Sequence, residues 1–187
     1  MRFAWANATD ASPIDAPPAQ TKFRSMFNAS DRSTLPKTEI YKNLATQLHA
    51  LIDDEPDAIA NMANCASLIF NSLPGLNWAG FYLLREDVLV LGPFQGKPAC
   101  IRIPIGRGVC GAAAEKRETI RVADVNAFPD HIPCDSASQA EIVLPLVAKA
   151  GRLIGVLDVD SPTLDRFDDE DQRGLEALAT IIAAKLG

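Results

Sequence analysis

Four cysteines, Cys65, Cys100, Cys110 and Cys134, are the residues of this 187-residue chain best suited to carry chemistry. A thiolate is both a nucleophile and a redox centre, and its surroundings decide how readily it forms. Cys134 stands in the least regular stretch of the chain, residues 123–139, among Asp124, Asn126, Pro129, Asp130, Pro133, Asp135 and Ser136. Long irregular segments inside a compact domain usually serve function, which makes Cys134 the candidate attacking sulfur; the alternative is a partly buried loop thiol. Cys110 follows Gly106 and Gly108 and falls in the first turn of a helix predicted over 109–116. A helix N-terminus favours the thiolate there, whereas packing beside Ala112, Ala113 and Ala114 would make Cys110 simple filler. Cys100 opens a short predicted strand, 100–103, beside Gly and Pro turns. It is placed either to enter a disulfide or to fill a strand core. Cys65 lies within a predicted helix and reads as core packing. His131 precedes Cys134 by three residues, but no C-x-x-C occurs and the paired spacing of zinc sites is missing, so no metal is expected.

Carboxylates form a second group. Asp158 and Asp160 are two apart on a predicted strand and so share a face. Like charges on one face repel, which suits either a solvated strand end or a cation-binding face. Glu141 opens the neighbouring predicted strand and could join them. Trp78 and Tyr82 are four apart in another strand, hence also on one face. They suit the core, or the wall of an apolar slot.

The elements that must position these residues follow from periodicity and punctuation. Residues 1–35 show no sustained pattern and carry Pro13, Pro17 and Pro18, as an N-terminal extension without its own core would. Its apolar residues, Phe3, Trp5, Phe23, Met26 and Phe27, could dock on the domain that spans 36–187. Ile40, Leu44, Leu48 and Leu51 predict a first helix, and Ile59, Met62, Ala66, Ile69 and Phe70 give the inner face of a second over 56–73. Strands are predicted over 78–84, 88–91, 100–103, 119–122, 141–147 and 153–160, with Gly92, Pro93, Gly96 and Pro98 breaking the chain after the second. Asp169 with Gln172 resembles a capping box for a last helix, 169–186. Helices flanking hairpin-connected strands predict an α+β domain with a mostly antiparallel sheet.

Composition narrows the partners. The formal net charge is -6, with no basic block ready to neutralise phosphates, which speaks against nucleic acid and anionic membrane. No apolar run approaches the ~20 residues that span a bilayer. The N-terminus lacks the pattern of a secretory signal and holds Asp10, Asp15 and Asp31, so a cytoplasmic protein is expected. No Walker loop, dinucleotide fingerprint or Ser-His-Asp constellation can be assembled.

Six runs carry a resemblance: N-W-A-G-F-Y (77–82), L-G-P-F-Q-G-K (91–97), A-C-I-R-I-P-I-G-R-G-V-C-G (99–111), H-I-P-C-D-S-A-S (131–138), E-I-V-L-P-L-V (141–147) and I-G-V-L-D-V-D-S-P (154–162). Over these the sequence closely resembles the free methionine-(R)-sulfoxide reductases, a family built on the GAF fold. The resemblance implies that the Cys134 thiolate attacks the sulfur of free L-methionine-(R)-sulfoxide, that methionine leaves, and that Cys134 becomes a sulfenic acid. It further implies that Cys100 condenses with that acid to a disulfide, which a thioredoxin-type dithiol reduces. Cys110 matches the third family cysteine, with a secondary or alternative resolving role. No bound cofactor is implied, and a homodimer is. The residues supply reasons for such an arrangement. Clustering Glu141, Asp158 and Asp160 would raise a carboxyl pKa towards that of a proton donor and would seat an α-ammonium. Trp78 and Tyr82 would hold the methyl-sulfoxide end. The fold alone would equally permit a non-catalytic GAF module that binds a small ligand or senses redox state.

Overall fold

The computed structural model describes residues 35–130 and 135–187. The expectations for the N-terminal extension up to residue 34, and for His131 and Cys134, lie outside the described residues.

Two helices come first, α1 (Lys37–Ile52) and α2 (Ala58–Ser72). Asp57 caps α2, its side chain accepting from the Ala60 amide at 2.8 Å. The buried face of α2 runs through Met62, Cys65, Ala66, Leu68 and Ile69, and Cys65 is core filler as expected. Ile59 departs from the expected inner face: it is 56 % exposed, because the buried stripe begins only at Asn61 and Met62.

A six-stranded sheet follows, with β1 (Trp78–Arg85), β2 (Val88–Gly96), β3 (Arg102–Pro104), β4 (Ile120–Val122), β5 (Ala140–Val147) and β6 (Leu153–Ser161). The spatial order is β3-β2-β1-β6-β5-β4, and every neighbouring pair is antiparallel. Helix α3 (Gly108–Lys116) connects β3 to β4, and α4 (Asp169–Leu186) ends the chain. This is the α+β architecture expected from the alternation of helical and strand periodicity.

Three expectations for local structure need correction. Strand β2 continues through Pro93 to Gly96 instead of ending at Leu91. A register shift between Gly80 and Tyr82 bulges the β1–β2 ladder, and that irregularity accommodates a proline, which has no amide to donate. Strand β3 begins at Arg102, so Cys100 lies in the loop before it. The capping box of α4 uses Asp168 and Asp171, one residue earlier than Asp169 and Gln172. The Asp168 carboxylate accepts from the Glu170 and Asp171 amides, while Asp171 accepts from the Asp168 amide at 3.1 Å.

Strand alternation divides the apolar residues between two layers. Ala79, Phe81, Leu83, Ile142, Leu144 and Leu146 face α1, α2 and α4 and form the larger core with Leu44, Leu48 and Leu178. Each fully buried leucine there contributes roughly 1.5–3 kcal/mol. Trp78, Tyr82, Val143 and Val156 point to the opposite face, where α3 packs through Val109, Cys110 and Ala113. Because Glu141 follows Ala140, and Asp158 and Asp160 flank Val159, period-2 alternation puts all three acids on this second face.

Candidate active site

The middle of the sheet brings three strands' worth of functional residues into adjacent columns. Trp78 pairs with Asp160, and Gly80 with Asp158, across β1–β6. Glu141 pairs with Asp160, and Val143 with Asp158, across β5–β6. The three acids are therefore nearest neighbours on one sheet face. Helix α3 closes over them from its first turn, which carries Cys110.

A glycine makes the aromatic wall possible. A Cβ on Gly80 would lie 2.6 Å from the Trp78 ring and would collide with Phe94. Without it, Trp78 lies between Tyr82 and Phe94, stacked on both with ring centroids 6.0 and 5.3 Å away. The Trp78 indole donates to the Lys97 carbonyl at 3.1 Å, and the Tyr82 hydroxyl donates to the Cys100 carbonyl at 3.0 Å. The two readings of these aromatics merge: both are buried, and both also border a cavity with Pro98 and Ala99.

That cavity adjoins a second one, and Asp135, Asp158 and Asp160 line both. The second reaches Arg107 and Cys110 at the start of α3, and Glu141 on β5. The Cys110 thiol donates to Glu141 Oε1 at 3.9 Å, and Cys110, Glu141 and Asp158 present donor atoms that all lie within 4.8 Å of one another. A single cation, metal ion or ammonium, could touch all three. Asp158 Oδ1 is buried and makes no hydrogen bond.

Burial governs the electrostatics. It raises Glu141 well above the ordinary carboxylate range, and the neighbouring charges of Asp158 and Asp160 add to this. Burial likewise pushes Asp158 up to about 7, against the opposing hydrogen bonds of Cys110 and Glu141. Asp160 is also raised, by burial first and then by Asp158 and Asp135. Asp135 is the contrast: the Ala137 amide, and then Lys97 and Asn77, hold it below its ordinary value. One site thus combines a carboxylate kept ionised with carboxyls that hold protons near neutrality.

Cys110 requires a correction. It does occupy the first turn of α3, but it is 4 % exposed. Burial, followed by the charges of Asp158 and Glu141, pushes its thiol well above the ordinary value. Desolvation and two adjacent acids outweigh the roughly half charge of a helix terminus. The helix-terminus argument for Cys110 as a ready thiolate therefore fails. Cys100 is half-buried in the loop between β2 and β3, and Cys134, the expected nucleophile, lies outside the described residues.

Sequence reasoning passed over Asp135, Asn77, Lys97 and Ser138. Asn77 Nδ2 donates to Asp135 Oδ2 at 3.3 Å and to Ser138 Oγ at 2.9 Å, and Lys97 Nζ lies 3.2 Å from Asp135 Oδ1. Asp135 reads in sequence as one more turn residue; its signals are its place directly after Cys134 and within the run 131–138.

Comparisons with known proteins identify the family. A family model described as GAF domain matches residues 60–186. The chain is 54% identical over 142 residues to the free methionine-R-sulfoxide reductase of Escherichia coli (strain K12), covering 76% of this chain and 86% of that protein. It is 40% identical over 171 residues to the free methionine-R-sulfoxide reductase of Saccharomyces cerevisiae, covering 88% and 95%. The solved structure of the Neisseria meningitidis free methionine-R-sulfoxide reductase in complex with its substrate superposes with a TM-score of 0.76 at 47% identity, covering 85% of this chain and 92% of that one. With the GAF match over most of its domain and relatives this similar along most of their own length, the chain belongs to the free methionine-R-sulfoxide reductase family.

Proposed function

We propose that this protein reduces free L-methionine-(R)-sulfoxide to methionine by thiol chemistry. The observation that carries this reading is the group formed by buried Glu141 and Asp158 with half-buried Asp160, set between the Trp78–Tyr82 wall and Cys110. A free amino acid brings an α-ammonium to that group, and the orphaned Asp158 Oδ1 supplies an acceptor for it. Peptide-bound methionine has no such charge, and its flanking chain would have to enter a covered site. The aromatic pair offers a wall of the right character for the methyl-sulfoxide end.

The reaction begins with the Cys134 thiolate attacking the sulfoxide sulfur. A carboxyl of the buried group, holding its proton near neutrality, protonates the sulfoxide oxygen as the S–O bond weakens. Net transfer of that oxygen leaves methionine and Cys134 sulfenic acid. The Cys100 thiol then attacks the sulfenic sulfur; a disulfide forms and the oxygen departs as water. A thioredoxin-type dithiol reduces the disulfide by exchange and is itself oxidised. Cys110, buried and held protonated by its neighbours, suits a secondary role.

A thioredoxin-coupled assay with both epimers of methionine sulfoxide tests this. The R epimer of the free amino acid should be consumed catalytically, and the N-acetylated form should not. A redox sensor would oxidise once, and a ligand-binding module would consume neither epimer. Mass spectrometry after one turnover without reductant should find Cys134 joined to Cys100, and a Cys134→Ser variant should form no methionine.

A further inference from the structure

Asp135 is joined by a peptide bond to Cys134, and its carboxylate is held from three directions. The Ala137 amide donates to Oδ1 at 2.9 Å from within the same turn. Asn77, at the entry to β1, donates to Oδ2, and Lys97, in the loop leaving β2, pairs with Oδ1. The side chain is 7 % exposed. Downstream, backbone bonds hold the segment, from the Ser138 amide to the Asp135 carbonyl at 3.1 Å and from the Gln139 amide to the Ser161 carbonyl at 2.8 Å. The Asp135 side chain therefore ties the chain to β1 one residue beyond the expected nucleophile.

Lys97 gives this tie a second end. It precedes Cys100 by three residues, and its own carbonyl is fixed by the Trp78 indole. The Lys97–Asp135 ion pair thus links the loop that carries Cys100 to the one that carries Cys134. We propose that Asp135 is a positioning residue for Cys134, and that its ion pair with Lys97 couples the two cysteine-bearing loops for the disulfide-forming step. This rests on the roles given to Cys134 and Cys100 above. The step itself joins a sulfenic acid and a thiol into a disulfide and water, so it needs no outside oxidant or reductant, only that two loops bring their sulfurs to bonding distance.

Single-turnover kinetics without reductant separate the two halves of the reaction. Methionine release reports the attack by Cys134. Quenched mass spectrometry, with a 1,3-diketone to trap sulfenic acid, reports disulfide closure. Lys97→Met should slow closure about two- to fivefold, the range an exposed ion pair supports, with a smaller effect on methionine release and more trapped sulfenic acid. High salt should slow closure in the wild type by a similar factor and leave Lys97→Met unaffected. Asp135→Ala, which removes all three anchors, should slow methionine release at saturating substrate about tenfold or more.

The proposal is overturned if Lys97→Met closes its disulfide at the wild-type rate. It is equally overturned if Asp135→Ala raises KM alone, which would make Asp135 a substrate contact, or loses activity only in proportion to its unfolded fraction by circular dichroism. Should Asp135→Ala fail to fold, the Lys97→Met and salt arms decide. A wild-type protein that releases no methionine, or a Cys134→Ser variant that still does, refutes the underlying function instead.

Discussion

The Tyr82 hydroxyl donates to the Cys100 carbonyl across 3.0 Å, so the aromatic wall of the cavity also holds the loop of the proposed resolving cysteine. Tyr82 is fully buried in the middle of β1, a rigid anchor for a residue that no strand contains. Tyr82→Phe keeps the ring and leaves that carbonyl without this partner. The expected cost is about 1–2 kcal/mol in stability, visible as a lower urea midpoint, together with slower disulfide closure in quenched samples. An unchanged closure rate would show that the loop needs no such tether.

Glu141 and Asp160 face each other directly across the β5–β6 ladder, with Asp158 on the same face. If these acids seat an α-ammonium, Glu141→Gln and Asp158→Asn should each raise KM for the free amino-acid sulfoxide about tenfold or more, the scale of a lost charge-assisted hydrogen bond. The preference for the free over the N-acetylated substrate should shrink by a similar factor. Steady-state kinetics with both substrates measures this. Equal losses on both substrates would leave these acids proton transfer alone and no part in recognising the ammonium.

The same cluster makes stability fall as pH rises. Asp158 holds its proton up to about 7 in the folded protein, whereas its ordinary value is 3.8. The folded state therefore binds more protons between those values, and the stability this contributes, complete below the ordinary value, is lost as pH climbs through about 7. Thermal unfolding from pH 5 to 8 should show a falling Tm. Asp158→Asn should flatten the profile and be more stable than wild type at pH 8 by on the order of 1–3 kcal/mol. A steeper profile in the variant would contradict the assignment.

Far from the cavity, Asp171 joins α1 to α4. Its buried carboxylate accepts from Lys37 at 2.6 Å, Tyr41 at 2.9 Å and Arg166 at 2.9 Å, as well as from the Asp168 amide. Asp171→Ala leaves two cations and a phenol without their shared partner, and should destabilise the protein by about 3–5 kcal/mol in urea unfolding. Activity per folded molecule should remain, since these residues touch neither cavity.

Much of the architecture was legible in the residues. Leu44 and Leu48 at helical spacing leave the first helix one way to bury its apolar side, and the short apolar run 141–147 reads as a strand. The spacing of Asp158 and Asp160 put them on one face for the same reason. Local rules failed where a neighbour overrode them. Pro93 reads as a breaker, yet it lies within β2 because the ladder bulges there. Ile59 reads as core, yet α2 turns it to solvent. The expected helix-terminus activation of Cys110 is opposed first by burial and then by Asp158 and Glu141, residues 48 and 31 positions away in the chain. Asp135 reads as an ordinary turn residue, yet Asn77 and Lys97 converge on it. Periodicity and residue type are local properties, and they determined the elements, their faces and the candidate chemistry. Burial and charge proximity are sums over residues remote in sequence, so only the tertiary structure could decide which acids hold protons and which thiol is disfavoured as a thiolate.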